Sequence, residues 1–206
     1  MSIKILVLGD PDMGPQIAQW MGETAPQHVD VVLATCNGEL PPTSGWAFQY
    51  EGSVTRIQSE SLSATFASPE NFLVTCYWPW IVSPEVFQGF AGRTLNFHPA
   101  LLPKDRGWYP HVHAIREGRN GGVTLHKLTA EADAGDVWAQ REVWLPFPIT
   151  ASEARSCLQI EAAALFKDVW WPIFNGTWLA SPQIGQPTYW SKSDVNHYNI
   201  LDRTEI

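Results

Sequence analysis

Two hydrophobic periods alternate along the chain. Ile3 to Leu8 is an apolar, β-branched stretch interrupted only at Lys4 and ending at Gly9. Such a stretch predicts a strand covered on both faces of a parallel sheet. From about Pro15 to Glu23 the period changes, and Ile17, Trp20 and Met21 fall on one helical face. His28 to Thr35, with Val29, Val31, Val32 and Leu33, returns to the strand pattern. Strand, helix, strand is how a doubly wound α/β sheet begins. Residues 37–70 are rich in Gly, Pro, Ser and Thr and read as irregular, with one strand at Ser53–Ile57.

The second half continues the alternation. Phe72 to Tyr77 reads as a buried strand, and Ser83-Pro84-Glu85 starts a short helix with Ser at the cap and Pro in the first turn. Arg93 to Phe97 is the next strand and runs into His98-Pro99. Pro110 opens a helix to about Gly118, and Gly122–Leu128 and Val137–Leu145 read as strands of alternating pattern. Thr150-Ala151-Ser152-Glu153 has the capping-box form. The long helix it starts carries Leu158, Ala162, Leu165, Val169 and Ile173 as its stripe and stops at Gly176. The remaining residues, with Tyr189, Trp190 and Tyr198, show little period. The expected fold is α/β: a doubly wound, mostly parallel open sheet over 1–180, with an irregular extension at 181–206 packed on it.

Composition narrows the function classes. With 206 residues and 45% hydrophobic content the chain is globular and suits one domain. A formal net charge of −8 argues against nucleic acid as a partner. Lys104, Arg106, Arg116 and Arg119 are the one local basic group, read as a solvated loop and helix face. Cys36, Cys76 and Cys157 are odd in number and widely spaced, which fits neither a disulfide framework nor a zinc knuckle. Cys36 and Cys76 lie in apolar stretches, as small buried hydrophobes do. No stretch nears the roughly 18 apolar residues of a membrane span, so a cytoplasmic location is expected, with no membrane partner.

The chemistry concentrates after the strand ending at Phe97. Asn96 and His98 are two apart at a strand end and project to one side. An amide can hold a developing oxyanion, and an imidazole can carry a proton near neutral pH. In open α/β sheets ligands bind at the carboxyl ends of strands. Thr129–Asp136 is a polar loop between two strands, and it offers Asp133 flanked by small residues. His111 and His113 form H-x-H, but residues two apart at a helix start do not share a face, so no metal is expected. His126 reads as structural.

Asn96-Phe97-His98-Pro99-Ala100-Leu101-Leu102-Pro103 resembles the N-x-H-P-x-L-L-P signature of the folate-dependent formyltransferases. Gly122-Val123-Thr124-Leu125-His126, followed by Asp133-Ala134-Gly135, resembles that family's second motif, G-V-T-x-H and then D-x-G. The resemblance implies a catalytic triad of Asn96, His98 and Asp133. It implies 10-formyltetrahydrofolate as co-substrate, its pterin held by Trp78, Pro79, Trp80, Ile81 and Val82 on one loop and Leu128, Thr129, Ala130, Glu131 and Ala132 on another. Trp78 suits either the core or the pocket, and Trp80 the pocket rim.

The acceptor is the open choice. Methionyl-tRNA formyltransferases carry an added domain and bind tRNA, which suits neither this length nor this charge. Glycinamide ribonucleotide formyltransferases hold a phosphate on a G-x-G-S-N-type loop, whereas the same place here reads Gly9-Asp10-Pro11-Asp12-Met13-Gly14, with two carboxylates. Gly107-Trp108-Tyr109-Pro110 and Pro187–Lys192 resemble the sugar-amine N-formyltransferases. The expected acceptor is therefore a nucleotide-linked amino sugar, contacted by Asp10, Phe97, Arg106, Trp108, Tyr109 and Tyr189. A glycinamide ribonucleotide formyltransferase-like enzyme, a formyltetrahydrofolate hydrolase and a folate-binding pseudoenzyme are the alternatives. The oligomeric expectation is a monomer or homodimer.

Overall fold

A computed structural model describes residues 2–35, 47–49 and 66–197. The expected strand at Ser53–Ile57, Cys36 and Tyr198 lie outside the described residues. The chain forms two compact units, Met1–Asn96 and Phe97–Ile206.

In the first unit, β1 (Ile3–Gly9) pairs in parallel with β2 (Val29–Thr35) and with β4 (Phe72–Cys76). Ile5, Leu6, Val7 and Leu8 have no exposed surface, as expected for a strand covered on both faces. Helix α1 (Met13–Thr24) packs on β1 and β2 through Ile17 and Met21. The turn from β1 into α1 needs glycine at both positions. A Cβ on Gly9 would lie 2.3 Å from the Gly14 Cα, so backbone meets backbone where a side chain would stand. Within the stretch read as irregular, Ala47–Gln49 forms a short strand, β3, that pairs in parallel with β2 (Leu33↔Ala47). Three residues are too few for a hydrophobic period to betray a strand. A short helix α2 (Pro84–Phe87) leads into a 3-10 turn and then β5 (Thr94–His98). The strand order is β3-β2-β1-β4-β5.

The second unit holds β7 (Gly121–His126) and β8 (Val137–Val143). β7 and β8 pair antiparallel. The expected alternation in β7 is overturned: all six residues are buried. Helices α3 (Pro110–Arg116) and α4 (Ala151–Phe174) pack against it. Leu101 fills the space beside Gly122, where a Cβ would lie 2.3 Å from the Leu101 Cγ. The capping box of α4 forms as expected: Glu153 N–H donates to Thr150 Oγ1, and Thr150 N–H to Glu153 Oε2. The α4 stripe of Leu158, Ala162, Leu165, Val169 and Ile173 is buried. A two-stranded parallel pair, β6 (Arg106–Gly107) with β9 (Tyr189–Trp190), joins the extension to the loop after β5. The architecture is α/β with a mostly parallel sheet. No helix among the described residues is long and apolar enough to cross a membrane.

Candidate active site

Asn96 and His98 leave β5 on the same side, two residues apart. The Thr75 hydroxyl, from β4, donates to Asn96 Oδ1 at 2.6 Å. That contact sets the amide's orientation and turns its NH2 into the donor end. Phe97, between them, faces the other way. It is buried against Phe166, ring centroids 5.2 Å apart, so its ring packs in the core, as strand alternation requires.

His98 is 5% exposed, and both of its ring nitrogens meet protein. Nε2 lies 2.8 Å from the carbonyl oxygen of Asp105. A carbonyl only accepts, so this nitrogen carries the proton. Nδ1 faces Asp133 Oδ2 at 3.5 Å. The same carboxylate faces a second imidazole: His126 Nε2 is 3.4 Å from Asp133 Oδ1. His126 Nδ1–H donates to the Lys127 carbonyl. In their neutral forms both imidazoles thus turn a bare nitrogen toward Asp133. Gly107 N–H donates to Asp133 Oδ2 at 2.9 Å.

The electrostatics follow from this packing. Burial works to raise the Asp133 pKa, but His98, His126 and the Gly107 N–H outweigh it and hold the carboxyl well below the usual carboxylate range. Burial holds His98 below the ordinary imidazole range, partly offset by Asp133 and by the Asp105 carbonyl, while His126 adds to the lowering. The resting pair is an ionised Asp133 beside a neutral His98 that is ready to gain charge.

The remaining expected site residues are spread. Trp78 and Trp80 meet edge to face, centroids 5.0 Å apart, both half-buried. Val82 is buried, Pro79 is exposed and Ile81 is 84% exposed. Leu128 is half-buried, and Thr129, Ala130, Glu131 and Ala132 are exposed beside Asp133. Arg106 donates to Glu131 and to Gln183 Oε1. Arg119 pairs with Asp105 and Glu117, and Lys104 with Glu117. The basic group read as solvated is therefore mostly partnered by acids. Trp108 and Tyr109 stand next to each other, 5.8 Å between centroids, with Lys192 over the Trp108 ring. Tyr189 is exposed on β9. In the first unit, Asp10 is buried and accepts from Met13 N–H at the start of α1. His111 and His113 are buried separately, and no group of three or more metal-binding side chains occurs among the described residues.

The sequence reading missed Thr75, Gly107, Asp105 and Gln183, and understated His126. Thr75 was invisible without the register of β4. Gly107 lay in plain sight directly after Arg106, but its N–H contact depends on the fold of a different loop.

Several known proteins are similar to this chain. A methionyl-tRNA formyltransferase of Mesoplasma florum is 27% identical over 154 residues, 68% of this chain and 49% of that protein. The chain spans about half the length of the curated methionyl-tRNA formyltransferases it matches. A dTDP-4-amino-4,6-dideoxyglucose formyltransferase of Mycobacterium bovis is 44% identical over 50 residues, 24% of this chain and 21% of that protein. In structure, the chain resembles a formyltransferase from Anoxybacillus kamchatkensis, crystallised with UDP-4,6-dideoxy-4-formamido-L-AltNAc and tetrahydrofolate. The TM-score is 0.72 at 22% identity, covering 95% of this chain and 89% of that one. Residues 12–164, well over half the chain, match the formyl transferase family, and the chain belongs to that family.

Proposed function

We propose that this chain is a cytoplasmic N-formyltransferase that moves the formyl group of 10-formyltetrahydrofolate to the primary amine of a nucleotide-linked amino sugar. The observation that carries the reading is the pair of buried His98 and half-buried Asp133 at 3.5 Å, with Asn96 on the same strand as His98. Residues 1–180 would be the catalytic domain, with 181–206 as an extension of it.

The neutral amine attacks the formyl carbon, and a tetrahedral oxyanion forms. The Asn96 NH2, oriented by Thr75, donates to that oxygen. His98 takes the proton lost by the attacking nitrogen at Nδ1, the nitrogen facing Asp133, and its charge acts on the oxyanion through space, because Nε2–H is already given to the Asp105 carbonyl. The bond from the formyl carbon to N10 then breaks. The same proton passes from His98 Nδ1, through a water held on the Asp133 carboxylate, to N10. Formamide and tetrahydrofolate leave, and the enzyme's charges are restored. The loops Trp78–Val82 and Leu128–Ala132 would hold the pterin by their backbone groups.

The amino-sugar acceptor is supported by two of the similar proteins, a dTDP-4-amino-4,6-dideoxyglucose formyltransferase and a formyltransferase crystallised with a UDP-linked formamido sugar, and by the exposed rings of Trp108 and Tyr189, which offer stacking surface. The first-turn Met13 N–H of α1 is taken by Asp10, so a phosphate there would meet a carboxylate, which weighs against a glycinamide ribonucleotide acceptor. The identity to methionyl-tRNA formyltransferases over 68% of the chain favours a second reading, a methionyl-tRNA acceptor.

The test is incubation with 10-formyltetrahydrofolate and three partners: nucleotide-linked amino sugars, methionyl-tRNA, or water alone. Formamide on the sugar, lost in His98→Ala, is the expected result. Formyl-methionyl-tRNA would replace the acceptor assignment. Formate release at an equal rate without any amine would mean a hydrolase, and folate binding without turnover a pseudoenzyme.

A further inference from the structure

The two aspartates that touch His98 share an uncommon backbone state. Asp105 has φ +59° and Asp133 φ +53°, in the left-handed region that residues other than glycine seldom occupy. Asp105 presents its carbonyl to His98 Nε2, and Asp133 its carboxylate to Nδ1. The orientation of the imidazole therefore depends on two bends that need outside support.

Besides Arg119 on Asp105 and the Gly107 N–H on Asp133, the support comes from one segment, the extension between Gln183 and Trp190. Trp190 Nε1–H donates to Asp105 Oδ1 at 2.8 Å, while its ring stacks on His113 at 3.9 Å and 7°. Asp105 N–H donates to Thr188 Oγ1, and Arg119 holds the other carboxylate oxygen. Gln183 reaches the second bend. Its Nε2 donates to the carbonyls of Asp133 and Gly135 at 2.7 and 2.8 Å, while its Oε1 accepts from Arg106. Only one orientation of that amide satisfies the set, since the carbonyls accept and the guanidinium donates. Nearly every residue of 181–189 is solvent-exposed, so the segment contributes little to the core. Its side-chain bonds converge on the two residues that hold one imidazole.

We propose that the segment Gln183–Trp190 is a strap that positions the catalytic imidazole, with Trp190 fixing the Asp105 carbonyl and Gln183 fixing the Asp133 bend. Trp190, Gln183 and Asp105 are positioning residues: they act through His98 and Asp133. The consequence for turnover rests on the transferase reading. The consequence for the imidazole does not.

Two variants separate the arms. Trp190→Phe keeps the ring stacked on His113 and deletes the N–H to Asp105. Gln183→Glu keeps an acceptor for Arg106 and deletes both donors to the Asp133 loop. Nitrogen-15 NMR of labelled histidine, with His98 assigned by comparison with His98→Gln, reads both the tautomer and the titration midpoint. The groups facing this ring are Asp133 and His126 beside Nδ1 and Asp105 beside Nε2, with Arg119 behind Asp105. The wild type is expected to hold the Nε2–H tautomer when neutral. Trp190→Phe should mix the tautomers, and Gln183→Glu should move the midpoint to lower pH as Asp133 draws away. In the transfer assay kcat should fall on the order of tenfold or more, as loss of alignment does, with KM for the folate changed less than about threefold. A tautomer or midpoint change in either folded variant supports the strap. Unchanged tautomer and midpoint in both overturn it, whatever happens to Tm or kcat. Absence of transferase activity in the wild type would remove the proposed function and leave the NMR result to judge the strap alone.

Discussion

A carboxylate flanked by two imidazoles is the centre of the candidate site at residue scale. Asp133 stays ionised because both flanking rings and a backbone N–H favour its charged form. Asp133→Asn should keep the shape and lose that field. Turnover is expected to fall at least about 100-fold, the scale of lost proton-transfer assistance, measured as initial rate under saturating folate. Thr75 is a subtler case. Thr75→Val removes the hydroxyl that orients Asn96 and leaves a group of equal size, so kcat should fall more than KM rises. If KM alone changed, Asn96 would be a binding group and not an oxyanion donor. Asn96, His98 and Asp133 could be singled out from the sequence because they stand in two motifs that resemble those of a known family. Thr75 and Gln183 were not, because their roles exist only once strands are in register and the chain has turned back on itself.

Elements were legible in proportion to their length. The helix Ala151–Phe174 announces itself by a capping box and a buried stripe of several turns. Thr150→Ala should cost about 1 kcal/mol, read from the urea midpoint at unchanged m. β7 was found but misjudged, because Gly122 and Thr124 alternate with Val123 and Leu125 as a solvated face would. In the fold Leu101 covers Gly122, and Thr124 exchanges hydrogen bonds with Ala100, Leu102 and Gln140. β6 and β9 were beyond reach, at two residues each. Their pairing is nonetheless sharply constrained. A Cβ on Gly107 would lie 2.2 Å from the Trp190 carbonyl oxygen, at φ +91°. Gly107→Ala should part the two strands and weaken the N–H contact to Asp133. The expected outcome is a loss of turnover larger than any loss of Tm, followed by assay and thermal melt on the same sample.

At the scale of the whole molecule, burial of titratable groups makes stability depend on pH. Burial pushes the His111 imidazole down from its ordinary value of 6.5 to about 4, with Arg155 and His113 adding repulsion. The unfolded chain therefore takes up a proton first. The contribution of His111 is complete above pH 6.5 and is lost as pH falls toward about 4. The shift corresponds to about 3 kcal/mol at roughly 1.4 kcal/mol per unit. His98 acts in the same direction. Urea unfolding at stepped pH should show stability declining across this window, and His111→Phe should flatten the decline without abolishing it. An unchanged slope in that variant would reject the assignment.

The ion pair between Asp105 and Arg119 joins residues fourteen apart in the chain, and the carboxylate is 1% exposed. A buried charge stripped of its counterion is far worse than no charge at all. Mutation alters one codon at a time, so descent through either single change passes through a disfavoured intermediate. Among descendants of a common ancestor, positions 105 and 119 should therefore be inherited or replaced together.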